Sequence, residues 1–97
     1  MTTKTKTRVR FELGRLVVTP GALKALREAK QEPLALIVRH ATGDWGDLDE
    51  EDKRENEFSV GKYLRILSAY ILPTGVKIWV ITEADRSATT LLLPSEY

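Results

Sequence analysis

Acid–base chemistry near neutral pH has a single obvious carrier in this chain. His40 is its only histidine, and imidazole is the one side chain that titrates near pH 7 unaided. As a general acid or base in RNA cleavage, His40 would need a 2′-hydroxyl or a leaving oxygen within hydrogen-bond reach. Arg65 and Arg86 are the matching cations. Phosphoryl transfer without a metal needs positive charge on the non-bridging oxygens, and a guanidinium fork supplies it. Ser68 completes the candidate catalytic set, and Tyr70, Thr82, Thr89 and Thr90 would line such a site with hydroxyls. Each of these residues also has a plain structural role to fill. A histidine in the last turn of a helix caps it, here through a backbone carbonyl or Asp44. Arg65 can pair with Glu83 across a hairpin, and Arg86 with Asp85 in a turn. Strand threonines and tyrosines are common without any function.

Other chemistries are thinly represented. The chain has no cysteine, which removes disulfides, thiolate zinc sites and a cysteine nucleophile. It holds no phosphate-cradling glycine loop, nucleophile elbow or zinc-hydrolase helix. A Ser68–His40–Asp44 triad can be drawn, but most chains of this length permit such a drawing. Asp44, Asp47, Asp49 and Glu50 offer oxygens to a metal, yet their spacing is not that of a calcium loop. No metal and no cofactor is expected. The segment Gly43-Asp44-Trp45-Gly46-Asp47 reads as a fixed turn between helices, with the indole inserted into the core.

These residues must be positioned by a small fold. Ninety-seven residues make one domain, which buries roughly 60–65% of the surface exposed by the unfolded chain. Residues 1–7 are polar and aperiodic, as in a disordered lead-in, leaving 8–97 as a single domain. Arg8–Leu13 alternates, with Val9, Phe11 and Leu13 on one face, the pattern of a half-buried strand. Gly14-Arg15 then forms a hairpin turn into Leu16–Val18, or one strand continues with a kink at Gly14. Thr19-Pro20 starts a helix whose stripe is Ala22, Leu23, Leu26 and Ala29. Pro33 opens a second, with Leu34, Ile37 and Val38 toward the core, His40 in its last turn and Gly43 as its stop. Asp49 caps a third, acidic in its first turn and ended by Gly61. Phe58 and Val60 are its main apolar residues, so it lies on the surface.

The last third reads as a meander. Tyr63–Leu72 and Val76–Asp85 flank a Pro-Thr-Gly loop, and pairing Leu72 with Val76 sets Ala69 opposite Trp79 and Arg65 opposite Glu83. Residues 88–93 add a third strand beside the second. Both faces of this sheet are largely apolar, so both should be covered. The expected fold is α+β, in the order β(β)-α-α-α-β-β-β, with helices packed on an antiparallel sheet.

Several blocks carry a resemblance. They are His40-Ala-Thr-Gly-Asp-Trp-Gly-Asp47, Asp52 with Asn56, Arg65 with Ser68 and Tyr70, Trp79-Val-Ile-Thr-Glu-Ala-Asp-Arg-Ser-Ala-Thr-Thr90 and Leu93-Pro-Ser-Glu-Tyr97. With Phe11–Gly14 upstream, they resemble an uncharacterised family of small bacterial plasmid-related proteins over roughly residues 11–97. The resemblance implies a mobile-element or defence-related setting and brings no established activity. The architecture alone also looks like the RelE and barnase-like ribonucleases, without a matching catalytic motif.

Charge is uneven: residues 1–30 are net +6, residues 31–61 net −6 and the remainder net +1. A basic first third can meet an anionic partner such as RNA, or can simply neutralise the acidic middle. No apolar run approaches the ~18 residues of a membrane span, and the basic start lacks a signal-peptide core. The expectation is a cytoplasmic protein with no membrane partner. Its function is either non-enzymatic binding or regulation, as a homodimer with a possible RNA or protein partner, or metal-independent RNA cleavage by His40, Arg65 and Arg86. The homodimer would bury a sheet face built from Leu67, Ala69, Ile71, Trp79, Ile81 and Leu92.

Overall fold

The computed structural model describes residues 8–97, so the expected lead-in over 1–7 lies outside it. The chain is α+β, as expected. It runs β1 (Arg15–Val18), α1 (Pro20–Ala29), α2 (Pro33–Ala41), α3 (Glu50–Lys62), β2 (Ile66–Ile71), β3 (Lys77–Thr82) and β4 (Ala88–Leu92), then a 3-10 turn, Pro94–Glu96. The sheet order is β1-β4-β3-β2. The β2–β3 hairpin has the expected register, with Ala69 opposite Trp79, and β4 pairs antiparallel to β3 with Leu92 opposite Trp79. The sheet is nevertheless mixed, because β1 lies parallel to β4.

The strand expected over Arg8–Leu13 does not form, and neither version of its continuation through Gly14 holds. This segment makes a single backbone-to-backbone bond to the body, Arg10 N–H to the Ala41 carbonyl at 2.8 Å. Its alternation comes from a different cause than pleating. Phe11 is buried beside Trp45 and Ile66, Leu13 bridges the two core clusters, and Val9 is 63% exposed. Gly14 then takes φ +65°, hard against the Ser87 main chain, where any Cβ would overlap it. Only beyond that contact does β1 begin, held by Arg15 N–H to Ser87 and Thr19 N–H to Leu91, both 3.0 Å.

The helix starts are those the sequence implies. Thr19 Oγ1 accepts from Ala22 N–H at 3.2 Å and Asp49 Oδ1 from Asp52 N–H at 2.8 Å. The buried face of α2 differs from expectation. It is Leu36, Ile37, His40 and Ala41, while Leu34 and Val38 point to solvent. That stripe is still helical, at i, i+1, i+4 and i+5, but it is turned to bring the imidazole inside. Helix α3 runs past Gly61 to Lys62, with Tyr63 as a left-handed cap at φ 54°. Phe58 is exposed, and the residues that α3 buries are Asn56 and Ser59.

Alternation along the strands gives the sheet two unlike faces. Ile66, Ser68, Tyr70, Ile78, Val80, Thr82, Thr89 and Leu91 share one face and are all buried, with α1 and α2 packed in the same cluster. Leu67, Ala69, Ile71, Trp79, Ile81, Thr90 and Leu92 share the other. Here the C-terminal residues fold back: Tyr97 meets Trp79 edge-on at 5.8 Å. Glu96 ties that turn to the start of α1, accepting from Leu93 N–H at 2.8 Å, Thr19 Oγ1–H at 2.5 Å and Gly21 N–H at 3.0 Å.

Candidate functional site

His40 and Ser68 come together, but inside the protein. Both are fully buried. His40 Nδ1 lies 2.6 Å from Ser68 Oγ, and Nε2 lies 2.9 Å from Thr82 Oγ1. The chain of bonds continues from Thr82 to Thr89 Oγ1 at 2.7 Å, and from Thr89 to the Leu13 carbonyl at 2.7 Å. The proton positions follow from that last acceptor. A carbonyl cannot donate, so Thr89 donates to Leu13 and accepts from Thr82. Thr82, having donated its only proton, must accept from Nε2–H. Nδ1 is then bare and accepts from Ser68. The imidazole is thus a neutral Nε2–H tautomer, and burial pushes its pKa down to about 3. Phe11 packs edge-on against it at 5.3 Å and Trp45 at 6.0 Å.

The expected helix-capping bond of His40 to a carbonyl or Asp44 is therefore absent. Asp44 instead pairs with Arg39, Nε to Oδ2 at 2.7 Å, and the guanidinium holds this carboxyl below its usual range. Trp45 is buried as expected, its indole N–H donating to Glu57 at 3.0 Å. Arg10 closes over it with two bonds to the same carboxylate, at 2.9 and 2.7 Å. Gly46 is required next to it. At φ +78° it packs on β2, and a Cβ would overlap the Ala69 carbonyl and the Tyr70 ring.

The two arginines do not join His40. Arg86 is buried, and its partner is not Asp85, which accepts from Ser87 N–H at 2.9 Å. Its Nη1 donates to the carbonyls of Leu64, Glu83 and Ala84 at 2.8–3.2 Å, and Nη2 to those of Ser59 and Val60 at 2.9 and 3.4 Å. Ser59 and Val60 lie in the last turn of α3, so Arg86 places a cation at the negative end of a helix, adding to the backbone bonds that Ser59 O already accepts from Tyr63 and Leu64. Arg65 is exposed, one residue before β2. It does not pair with Glu83; its guanidinium donates to the Tyr97 hydroxyl and lies over that ring. Of the other hydroxyls, Tyr70 donates to the Asp44 carbonyl at 2.6 Å, with its pKa pushed up to about 12 by burial, while Thr90 is half-buried on the opposite sheet face.

An open concavity lies elsewhere. A groove of about 640 Å³ runs between α3 and the sheet face that carries Trp79. Leu67, Ala69 and Trp79 form its floor. Asp47, Asp49, Glu51, Asp52 and Glu55 line the α3 side, with Arg65 and Lys77 on the sheet side. The free edge of β2 is sealed along this line. Asn56 binds Leu67 twice, donating to its carbonyl at 2.7 Å and accepting its N–H at 3.2 Å, as a neighbouring strand would. Ala69 is bonded on the same edge by Trp45 O at 3.2 Å and Asp47 N at 2.6 Å.

The sequence flagged the floor of this groove as an apolar patch but not its charged wall. The available signal was the row Asp52, Asn56 and Ser59, spaced i, i+4, i+7 on a helix with few apolar residues: a polar stripe where a packed helix normally has an apolar one. Of the six residues in the expected dimer patch, Ala69, Ile81 and Leu92 are buried within the chain, whereas Leu67 and Trp79 are half-open and Ile71 is 50% exposed. Among the described residues, no three His, Asp or Glu side chains converge at metal-binding distance, and no helix is long and apolar enough to cross a membrane. Compared with known proteins, the chain matches no family model, no curated protein and no solved structure.

Proposed function

We propose that this is a non-enzymatic binding protein that works through the α3 groove. The single observation that carries this reading is the half-open Trp79–Leu67 floor inside a walled concavity. Large, partly exposed aromatic surface in a groove is what partner sites use for affinity. The polar residues that would support catalysis are engaged elsewhere. His40 and Ser68 are in the core, and Arg86 is held by five carbonyls. A ribonuclease would need His40 at a solvent-open site beside phosphate-binding cations, and no observation favours that alternative. A homodimer, the other part of the binding reading, would use the remaining open strip of Leu67, Ile71 and Trp79.

Selection of displayed random peptides on the immobilised protein tests the reading. Binders retained by the wild type and lost on Trp79→Ala, with an unchanged fold by circular dichroism, support it. Binders indifferent to Trp79, or metal-free cleavage of labelled RNA that His40→Ala abolishes, overturn it.

A further inference from the structure

The groove has an asymmetry that bears on what fills it. Its helix side presents five carboxylates, and its sheet side presents only Arg65 and Lys77. The helix-side charges are not neutralised locally. Among the described residues, Asp47, Glu51, Asp52 and Glu55 make no side-chain hydrogen bond or ion pair. The cations carried by α3 itself, Lys53, Arg54 and Lys62, fall outside the lining, and Lys53 pairs with Glu50 at 3.7 Å. Arg65 is already turned onto Tyr97. The carboxylates thus face the apolar floor across open solvent.

Resting on the binding reading above, we propose that this groove takes an extended, Lys/Arg-bearing segment of a partner protein. Three physical features converge on that class. The wall attracts cations and speeds their encounter. The Trp79 face offers a second, non-ionic attraction to a guanidinium or ammonium, together with apolar contact for its alkyl stem. The wall repels phosphates, so an RNA strand is the wrong ligand for this face despite the basic first third of the sequence. Length is also bounded. From Asp49 to Ser59 the helix rises about 15 Å, which admits roughly four or five residues of extended chain. Main-chain strand addition is not the recognition mode, because Asn56 and the Trp45–Asp47 segment already occupy the β2 edge at Leu67 and Ala69. Recognition is by side chains: cations toward α3, apolar groups toward Leu67 and Trp79, and an acceptor toward Lys77.

The probe is a fluorescein-labelled six-residue peptide alternating Lys or Arg with Leu, followed by anisotropy and by amide shifts of the labelled protein. Two control peptides replace the cations with Ser or with Glu. The expected result is saturable binding with shifts centred on Leu67 and Trp79, at least tenfold weaker for the Ser peptide and undetectable for the Glu peptide. Glu51→Lys/Glu55→Lys, both on exposed positions of α3, should weaken the basic peptide at least tenfold while leaving the circular dichroism spectrum unchanged. Equal binding of basic and Ser peptides at the groove overturns the charge inference and leaves the binding reading standing. Shifts away from the groove overturn both. Binding of oligouridylate at the groove overturns the choice of a protein partner. So does a concentration-dependent dimer that the double variant dissociates, which would make a second copy the occupant.

Discussion

On the helix-covered face of the sheet, Ser68, Thr82 and Thr89 are sealed from water and every hydroxyl has a defined donor or acceptor role around His40. On the opposite face, Trp79 and Leu67 remain half-open beside carboxylates of which four, Asp47, Glu51, Asp52 and Glu55, make no side-chain hydrogen bond or ion pair among the described residues. The two regions are built from the same strands, one residue out of phase. The difference shows that a cluster of reactive residue types is a poor guide to where a small protein meets its surroundings. A buried polar chain that is fully satisfied contributes order to the core, since any member left unpaired is expensive. Unpaired charge at a concave surface is cheap to maintain in water and available to a partner.

This contrast can be broken by substitution. The largest effect is expected at Trp45→Ala, which empties the wall behind His40. It should cost ~3–5 kcal/mol in urea unfolding, and a loss below ~1 kcal/mol would mean the dry region is not close-packed. Acid should come next. The folded pKa of His40 is depressed from 6.5 to about 3, so its contribution is complete above pH 6.5 and is lost as pH falls toward 3. Between pH 7 and pH 4.5 the wild type should lose roughly 2–3 kcal/mol through this group. The His40→Gln variant should lack that slope, and an equal slope in both would place the titration elsewhere. Thr82→Val keeps shape but strands the His40 Nε2–H, with an expected loss of about 1–3 kcal/mol by the same unfolding assay. Smallest of all, Glu55→Lys in the groove should shift stability by no more than ~0.5 kcal/mol. A loss matching that of Thr82→Val would erase the distinction between the two regions.

Legibility in the sequence followed how local the determining physics was. The β2–β3 register was readable because a short loop and alternating residues fix it within 20 positions. Thr19 and Asp49 announced their helices because a cap acts three residues ahead. Arg8–Leu13 misled because alternation looks the same whether a strand pleats or an extended segment drops Phe11 and Leu13 into a core. Nothing near Leu16 signals a parallel partner 73 positions away at Thr89. His40 and Ser68 were named as neighbours in chemistry, and they are neighbours in space. Whether they face water depends on the rotation of α2: the sequence pattern set Leu34, Ile37 and Val38 inward, and packing instead turns in Leu36, Ile37, His40 and Ala41. The groove was hardest to read, because it exists only where α3 runs beside a sheet face made by later residues.

The parallel seating of β1 against β4 also has a consequence for how the molecule is made. Arg15–Val18 leaves the ribosome long before its strand neighbour, Ala88–Leu92, and α1, α2 and α3 are synthesised in between. The early strand therefore waits with both edges unpaired. The β2–β3–β4 meander, whose contacts are close in sequence, is the natural nucleus, and closure of the long loop to β1 comes last because its entropy must be met by a sheet already formed. Substitutions in β1 such as Val17→Ala should accordingly speed unfolding and leave the folding rate nearly untouched, while Val80→Ala in β3 should slow folding itself. During translation, the exposed Leu16–Val18 edge is the segment most in need of protection from its copies on neighbouring nascent chains.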